Sequence, residues 1–512
     1  MTTYSAVVTT GIYCRPGCGA RPLIENTRTY EQPAAAEAAG FRACLRCRPY
    51  RVAAPLAAGA PELVCRVWQL IIDGALDGGT EADLAERVGL SPRHVRRLFL
   101  RHLGATPDQL ARSRRAHFAR RLLDDTDLTV LDVAFASGFG SLRQFNRTMR
   151  EIFHAAPSDL RARRHRADRL AADGGLLLRL PCAPGYDWDA VRAFLAARAV
   201  PGVEEADGDT YRRAVTVEGA PGVLEVSPGG DGFLLLRAHL PYWEGLIHVV
   251  GRAGRMLGVD LDHRAGAALL SADAVLGPLV SARPGLPVPG AWSVLEVGVR
   301  AVVERDRGPR ATSALMRAIV TALGTFVPGL PGGLTHTFPA PAALTPDALA
   351  RAGLVDGAGA TGDRERLTGD EADAIGRLAG DVANGRLAGD VANGRLAGEI
   401  AIGRLAGDAG NGRSAGDAGN GRSAGGLGNE WHALLDHGAG AGAPAATLPH
   451  ADPGLAHALA LRLGHPGAFP SGDPALRAAL DDLGLDLDAA ATRWRPWQAL
   501  AAVHLMVYGD TL

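Results

Sequence analysis

Four of the six cysteines, Cys14, Cys18, Cys44 and Cys47, crowd the first fifty residues as a C-x-x-x-C pair and a C-x-x-C pair. Two close thiol pairs at this separation suit a tetrahedral four-thiolate zinc centre better than disulfides in a reducing compartment. Cys65 and Cys182 stand alone in apolar settings (LVCRV, LRLPCAP) and read as small buried hydrophobes. The 54 basic residues are all arginine. With no lysine there is no side-chain amine for a Schiff base, which excludes lysine-dependent lyase chemistry. The arginines concentrate where they can meet a polyanion: fifteen fall between Arg93 and Arg164, against seven acidic residues, in a chain of net charge -1. Any nucleic-acid site is therefore local.

These residues need several supports, because 512 residues exceed what one hydrophobic core serves. The cysteines fall in a small zinc unit over 1–55. Residues 60–165 show amphipathic helical segments joined by Gly and Ser/Thr-Pro punctuation, an all-α unit. Alternating apolar runs (LLLRL, AVTV, VLEV, GFLLLRA) around the helical WDAVRAFLAARA predict a small α+β unit over 175–242. Apolar helical segments predict an all-α region over 243–512. That region is interrupted at about 377–446, where Arg377, Arg386, Arg395, Arg404, Arg413 and Arg422 mark a nine-residue repeat. Its glycine density opposes long helices, so a flexible tandem expansion is expected. The chain has no apolar run long enough for a membrane helix, and MTTYSAVVTTGIYC lacks signal-peptide regions. A cytoplasmic location without a membrane partner follows as the expectation.

The segment TTGIYCRPGCGARPLIENTRTYEQPAAAEAAGFRACLRCRP resembles the N-terminal zinc domain of the bacterial adaptive-response Ada proteins, through C-R-P-x-C, E-N, the A-A-A-E-A-A-G-F-R helix entry and C-x-R-C. The resemblance implies that Cys14, Cys18, Cys44 and Cys47 hold one Zn2+ and that Cys14 accepts a methyl group from a methylated DNA phosphate. Four thiolates on a dication carry a formal charge of -2, and methylation of one takes it to -1. Repulsion from DNA should fall, turning repair into a transcriptional signal. The alternative is a purely architectural zinc knob. The family carries a further helix and strand ahead of the TTGI segment, so a module short at its N-terminus is expected.

Residues Thr80–Leu100 and Thr129–Phe153 are two copies of helix, glycine turn and helix, each with a serine at the entry to its second helix. AFASGFGSLRQFNRTMREIF is similar to the AraC-family signature, which implies a double helix-turn-helix reader. The resemblance places Arg93, His94, Arg96 and Arg97 on one recognition helix and Ser141, Arg143, Gln144 and Asn146 on the other. Guanidinium and carboxamide groups suit bidentate contacts to guanine and adenine. Phe135, Phe139, Phe145 and Phe153 read as core.

From about Leu176 to Tyr508 the chain resembles the 3-methyladenine DNA glycosylase II family, with its TATA-binding-protein-like unit and helix-hairpin-helix region. GYDWDAVRAFLAARAVPGVE, RPGLPVPGAWSVLEVGVRAVV, AFPSGDPALRAAL and RWRPWQALAAVHL carry the match. The family's catalytic aspartate falls on Asp473. A carboxylate suits the task, since loss of an alkylated base leaves positive charge on the sugar. Without lysine the enzyme is monofunctional, uses water and needs no cofactor for this step. Several family features are altered: Leu448–Ala456 reads LPHADPGLA where a glycine-rich hairpin is expected, a tryptophan position is Gly454, a late aromatic is Met506, and Glu304–Gly308 replaces a wedge-bearing turn. Two readings follow. One is an alkylation-response protein joining methyl acceptor, promoter reader and 3-methyladenine-type glycosylase, with double-stranded, alkylated and promoter DNA and RNA polymerase as partners. The other is a damage-sensing transcription regulator with a catalytically dead glycosylase fold. The P-C-H-R-V motif needed to demethylate guanine oxygen is absent from the sequence.

Overall fold

In the computed structural model the described residues are 3–19, 23–52, 56–57, 61–165, 168–170, 175–305, 307–356, 366–384 and 453–512. The first unit is a four-stranded sheet of β1 (Tyr4–Val7), β2 (Ile12–Cys14), β3 (Thr27–Tyr30) and β4 (Arg42–Ala43) in the order β3-β1-β2-β4. Alternation puts Tyr4, Ala6 and Tyr13 on the buried face, against the alanine-rich helix α1 (Pro33–Ala38). The interior strand β1 is formed by residues ahead of the TTGI segment.

The short strand β5 (Leu56–Ala57) leads into the arginine-rich unit, formed by α2 (Glu62–Ile72), α3 (Glu81–Glu86), α4 (Pro92–Leu103), α5 (Pro107–Asp125), α6 (Val130–Ala136), α7 (Leu142–Phe153) and α8 (Pro157–Ala162). Thr80, Thr106 and Thr129 each close a capping box with the residue three positions on, which fixes where α3, α5 and α6 start. Helix α5 is the spine. It buries Arg115, Arg120, Asp124 and Asp125 along with its apolar face, and Arg120 pairs with Asp124 one turn on.

The α+β unit is an antiparallel sheet of β6 (Leu176–Pro181), β7 (Glu204–Asp207), β8 (Thr210–Val217), β9 (Ala220–Gly230) and β10 (Phe233–His239), with α9 (Trp188–Ala197) following β6. Its order is β6-β10-β9-β8-β7. Leu176, Leu178 and Leu180 point inward at the period-2 spacing of β6. The rest is mainly helical: α10 (Leu246–Met256), α11 (Arg264–Leu270), α12 (Leu276–Ala282), α13 (Val294–Glu304), α14 (Pro309–Leu323), α15 (Pro346–Arg351), α16 (Gly369–Ala383), α17 (Pro453–Arg462), α18 (Pro474–Asp482), α19 (Leu487–Arg493) and α20 (Gln498–Gly509). Two small additions modify the all-α expectation. β11 (Leu261–Asp262) pairs in parallel with β5, and β12 (Thr325–Phe326) forms a ladder with β13 (His336–Thr337).

The repeat starts differently from its glycine content. The first seven residues of its first copy, Arg377–Ala383, belong to α16, because Leu378, Ala379 and Val382 continue the buried stripe begun by Ala372 and Ile375. Leu378 fills the space over Gly298 of α13, where a Cβ would collide with it. Gly385, which closes that copy, and the later copies from Arg386 onward lie outside the described residues.

The units share cores. One buried cluster runs from Tyr4 and Tyr13 through Phe118 and Phe145 to Leu236, Phe469 and Val503. A second lies beneath α13, α14 and α16, and a third joins α2, α4 and α1. Polar contacts lock the arginine-rich unit to α10: His248 bridges Asp77 at 2.6 Å and the Ile72 carbonyl at 3.0 Å, and Arg255 pairs with Asp73 at 2.6 Å.

Candidate functional site

The Sγ atoms of Cys14, Cys18, Cys44 and Cys47 lie within 4.8 Å of one another. Cys14 ends β2 and is 6% exposed; the turn that brings Cys18 back passes through Gly17 at φ +74. Cys44 follows β4, and the backbone N–H of Cys47 donates to Cys44 Sγ at 3.5 Å. Burial drives the Cys14 thiol well above its ordinary value and pushes Cys47 up to about 12. Burial pushes Cys44 the same way, but the backbone amides of Cys47 and Arg46 outweigh it and leave that thiol below its ordinary value. A dication among four such sulfurs is what can hold all of them as thiolates, so the donor set fits zinc. Cys182 is buried in the α+β unit and Cys65 is half-buried on α2.

Helices α4 and α7, expected to be the recognition helices, start at the serines that the spacing implies. Ser91 caps α4 by accepting from the His94 amide at 3.3 Å, and Ser141 caps α7 by accepting from the Gln144 amide at 3.2 Å. Gly89 and Gly138 make the turns at positive φ. Phe139, Phe145 and Phe153 are core residues and Phe135 is half-buried. Arg93, Arg97 and Arg143 are exposed. Three expected base readers have partners within the protein. Arg96 forks onto Glu81 Oε2 at 3.1 and 2.7 Å, Asn146 Nδ2 donates to the Leu142 carbonyl at 2.9 Å, and Ser141 is engaged as a cap. Arg147, one turn beyond Arg143, adds an exposed guanidinium that the sequence reading left out.

Asp473 precedes Pro474 at the start of α18. Its Oδ1 accepts from the amides of Ala475 at 2.9 Å and Leu476 at 3.1 Å, which holds the carboxyl at the positive end of the helix. The Asp473 side chain is 14% exposed. Arg198, just past α9, approaches Oδ2 at 3.4 Å and reaches Asp510 Oδ2 at 2.7 Å. Asp510 can come this close because α20 ends on Gly509, where a Cβ would strike the Ala475 carbonyl. Two cations lie over the Phe194 ring, Arg198 at 4.2 Å and Arg462 at 5.3 Å from its centroid. Arg198 and Asp510 escaped the sequence reading, being 275 and 312 residues from their partners in one cluster. Met506 is buried in α20. Residues 448–452 and Asp306 lie outside the described residues, as do the side chains of 453–456, Gly454 among them. The neighbouring Arg307 is buried in a two-pronged pair with Glu371 at 2.6 and 2.8 Å.

Family models match in three places: the metal binding domain of Ada over residues 2–50, a helix-turn-helix domain over 84–163 and the AlkA N-terminal domain over 177–293. The chain is 34% identical to a protein of Mycobacterium tuberculosis described as a probable bifunctional transcriptional activator/DNA repair enzyme AlkA, over 98% of this chain and 91% of that protein. It is also 34% identical to the bifunctional transcriptional activator/DNA repair enzyme Ada of Escherichia coli, over 28% of this chain and 41% of that one. With DNA-3-methyladenine glycosylase 2 of Escherichia coli it shares 30% identity, over 33% of this chain and 59% of that enzyme.

Proposed function

Because the chain belongs to the family of bifunctional transcriptional activators and DNA repair enzymes that includes the Mycobacterium tuberculosis AlkA protein, we propose that it senses DNA methylation at its cysteine cluster, reads promoter DNA with α4 and α7, and excises alkylated bases at Asp473. The observation that carries the excision step is the divided use of the Asp473 carboxylate. Oδ1 is held by two helix amides, whereas among the described residues Oδ2 has only the long contact from Arg198, which leaves it available to a sugar.

Excision begins with the alkylated base turned out of the duplex. The N-glycosidic bond breaks with its electron pair leaving on the base, which was cationic and departs neutral. Positive charge remains on the sugar, and Asp473 Oδ2 stabilises it until water adds and gives up a proton. No lysine is present to capture the sugar, so the reaction ends at hydrolysis.

At the cysteine cluster, one zinc ion held by Cys14, Cys18, Cys44 and Cys47 would supply the charge that keeps the sulfurs deprotonated and nucleophilic. Cys14 forms the new S–C bond with the methyl of a methylphosphotriester. The O–C bond breaks, its electron pair returning to the phosphate oxygen and restoring the diester anion. One thiolate becomes a neutral thioether, and repulsion between this unit and DNA falls. Arg93, Arg97 and Arg143 are the exposed guanidinium groups best placed to read guanine in the major groove. RNA polymerase is the partner that such a signal would recruit, and the cytoplasm is where this chemistry meets DNA. Among the described residues no helix is long and apolar enough to cross a membrane.

The test is release of 3-methyladenine and 7-methylguanine from alkylated DNA by wild type and Asp473→Asn. Asparagine caps a helix as well as aspartate, so α18 keeps its start while the charge is lost. Release should slow at least about a hundredfold, or roughly 3 kcal/mol in the barrier. Wild type inactive at high enzyme concentration would point to the damage-sensing regulator with a dead glycosylase fold.

A further inference from the structure

Arg198 faces two carboxylates with unequal grip. Nη1 donates to Asp510 Oδ2 at 2.7 Å, a charge-assisted hydrogen bond of full strength. Nη2 lies 3.4 and 3.5 Å from the two oxygens of Asp473, at the outer limit of hydrogen bonding. The guanidinium is seated on the Phe194 ring, and Arg300 donates to the Arg198 carbonyl at 3.1 Å, so the backbone at its root is also held. One guanidinium cannot pair fully with both carboxylates. Since the tight partner is Asp510, Asp473 is the less closely paired of the two, and its Oδ2 has no other hydrogen-bond partner among the described residues.

We propose that Asp510 is a positioning residue for base excision: by holding the Arg198 guanidinium on itself, it stops that cation from closing onto Asp473 and keeps the Asp473 charge free to meet the cationic sugar. This rests on the reading of Asp473 as the excision carboxylate. Without Asp510, the guanidinium turns its full fork toward Asp473 and forms a two-pronged pair, the preferred geometry for arginine and carboxylate. A carboxylate neutralised in that way stabilises a neighbouring cation far less. Restraint of Arg198 matters the more because Arg462, a second cation, lies on the same Phe194 ring. Asp510 itself is at the exposed end of α20, where Asp→Asn leaves the core untouched.

Single-turnover release of 7-methylguanine from alkylated duplex DNA tests this with the full chain. The variants are Asp510→Asn, Asp510→Glu, Arg198→Met, the double Arg198→Met/Asp510→Asn, and Asp473→Asn, with DNA affinity and melting temperature measured for each. Asp510→Asn should slow release by about tenfold or more while leaving affinity and melting temperature unchanged. Asp510→Glu should recover most of the rate. In the Arg198→Met background, Asp510→Asn should change nothing, because the cation it restrains is gone. A wild-type rate in Asp510→Asn, or the same loss with and without Arg198, overturns the proposal. Release that depends on Asp473 but not on Asp510 overturns it alone, whereas equal inactivity of wild type and Asp473→Asn overturns the excision reading with it.

Discussion

Acid should unlock the helix that brings Asp510 to Asp473. His504 lies in the middle of α20, 3% exposed, and its Nε2 has no hydrogen-bond partner among the described residues. Burial pushes its pKa from 6.5 down to about 4, with Arg283 and His263 acting the same way and Asp187 opposing them. The folded state thus holds the ring neutral at pH values where the unfolded chain binds a proton. Stability is lost as pH falls below 6.5, and the loss levels off below about 4. Between pH 7 and pH 5 the two values give a loss of about 2 kcal/mol from this residue alone. His263, also held near 4 by burial, adds to it in the same direction. The assay is urea unfolding of the full chain at pH 7.5 and 5.0, followed by fluorescence of Trp494 and Trp497 beside this helix. In His504→Phe the drop in stability between the two pH values should shrink by about 2 kcal/mol, whatever the variant's absolute stability. An unchanged drop would refute the argument, since it would place the lost stability on other groups.

Five further outcomes are expected. Cys44→Ser/Cys47→Ser should abolish zinc binding measured by metal analysis, and full occupancy in that variant would remove these ligands from the site. After exposure to DNA carrying methylphosphotriesters, intact-mass and peptide analysis should find one added methyl on Cys14, together with tighter and less salt-dependent promoter binding. Arg143→Ala should weaken binding to the preferred promoter by about 1–3 kcal/mol and spare non-specific DNA. Asn146→Ala should have a smaller effect, because its amide is already bonded to Leu142; equal losses on all sequences would show that α7 presents another face to the groove. Ser141→Ala should cost about 1 kcal/mol of stability by removing the cap of α7, read as a lower melting temperature.

What the sequence determined by itself was whatever neighbouring residues settle among themselves. Two cysteine pairs, with three and two residues between their members, are each brought to one metal by a single turn of chain. The threonine and serine caps act across three residues, and the recognition helices start where those caps predict. Period-2 leucines in β6 and the phenylalanine spacing of α7 likewise announced their buried faces. Tertiary structure alone decided the surroundings of Asp473: Arg198 from the end of α9 and Asp510 from the end of α20 meet it only when the α+β unit packs against the last helices. It also decided which of the exposed-looking arginines are engaged, since Arg96 is turned to Glu81 by the packing of α3 beside α4. The repeat shows the same limit, because glycine content argued against a helix while burial of Leu378 against Gly298 stabilised one across the first seven residues of its first copy. Local propensity is worth tenths of a kcal/mol per residue, whereas burying an apolar side chain is worth about 1.5–3 kcal/mol, so packing prevails where the two disagree.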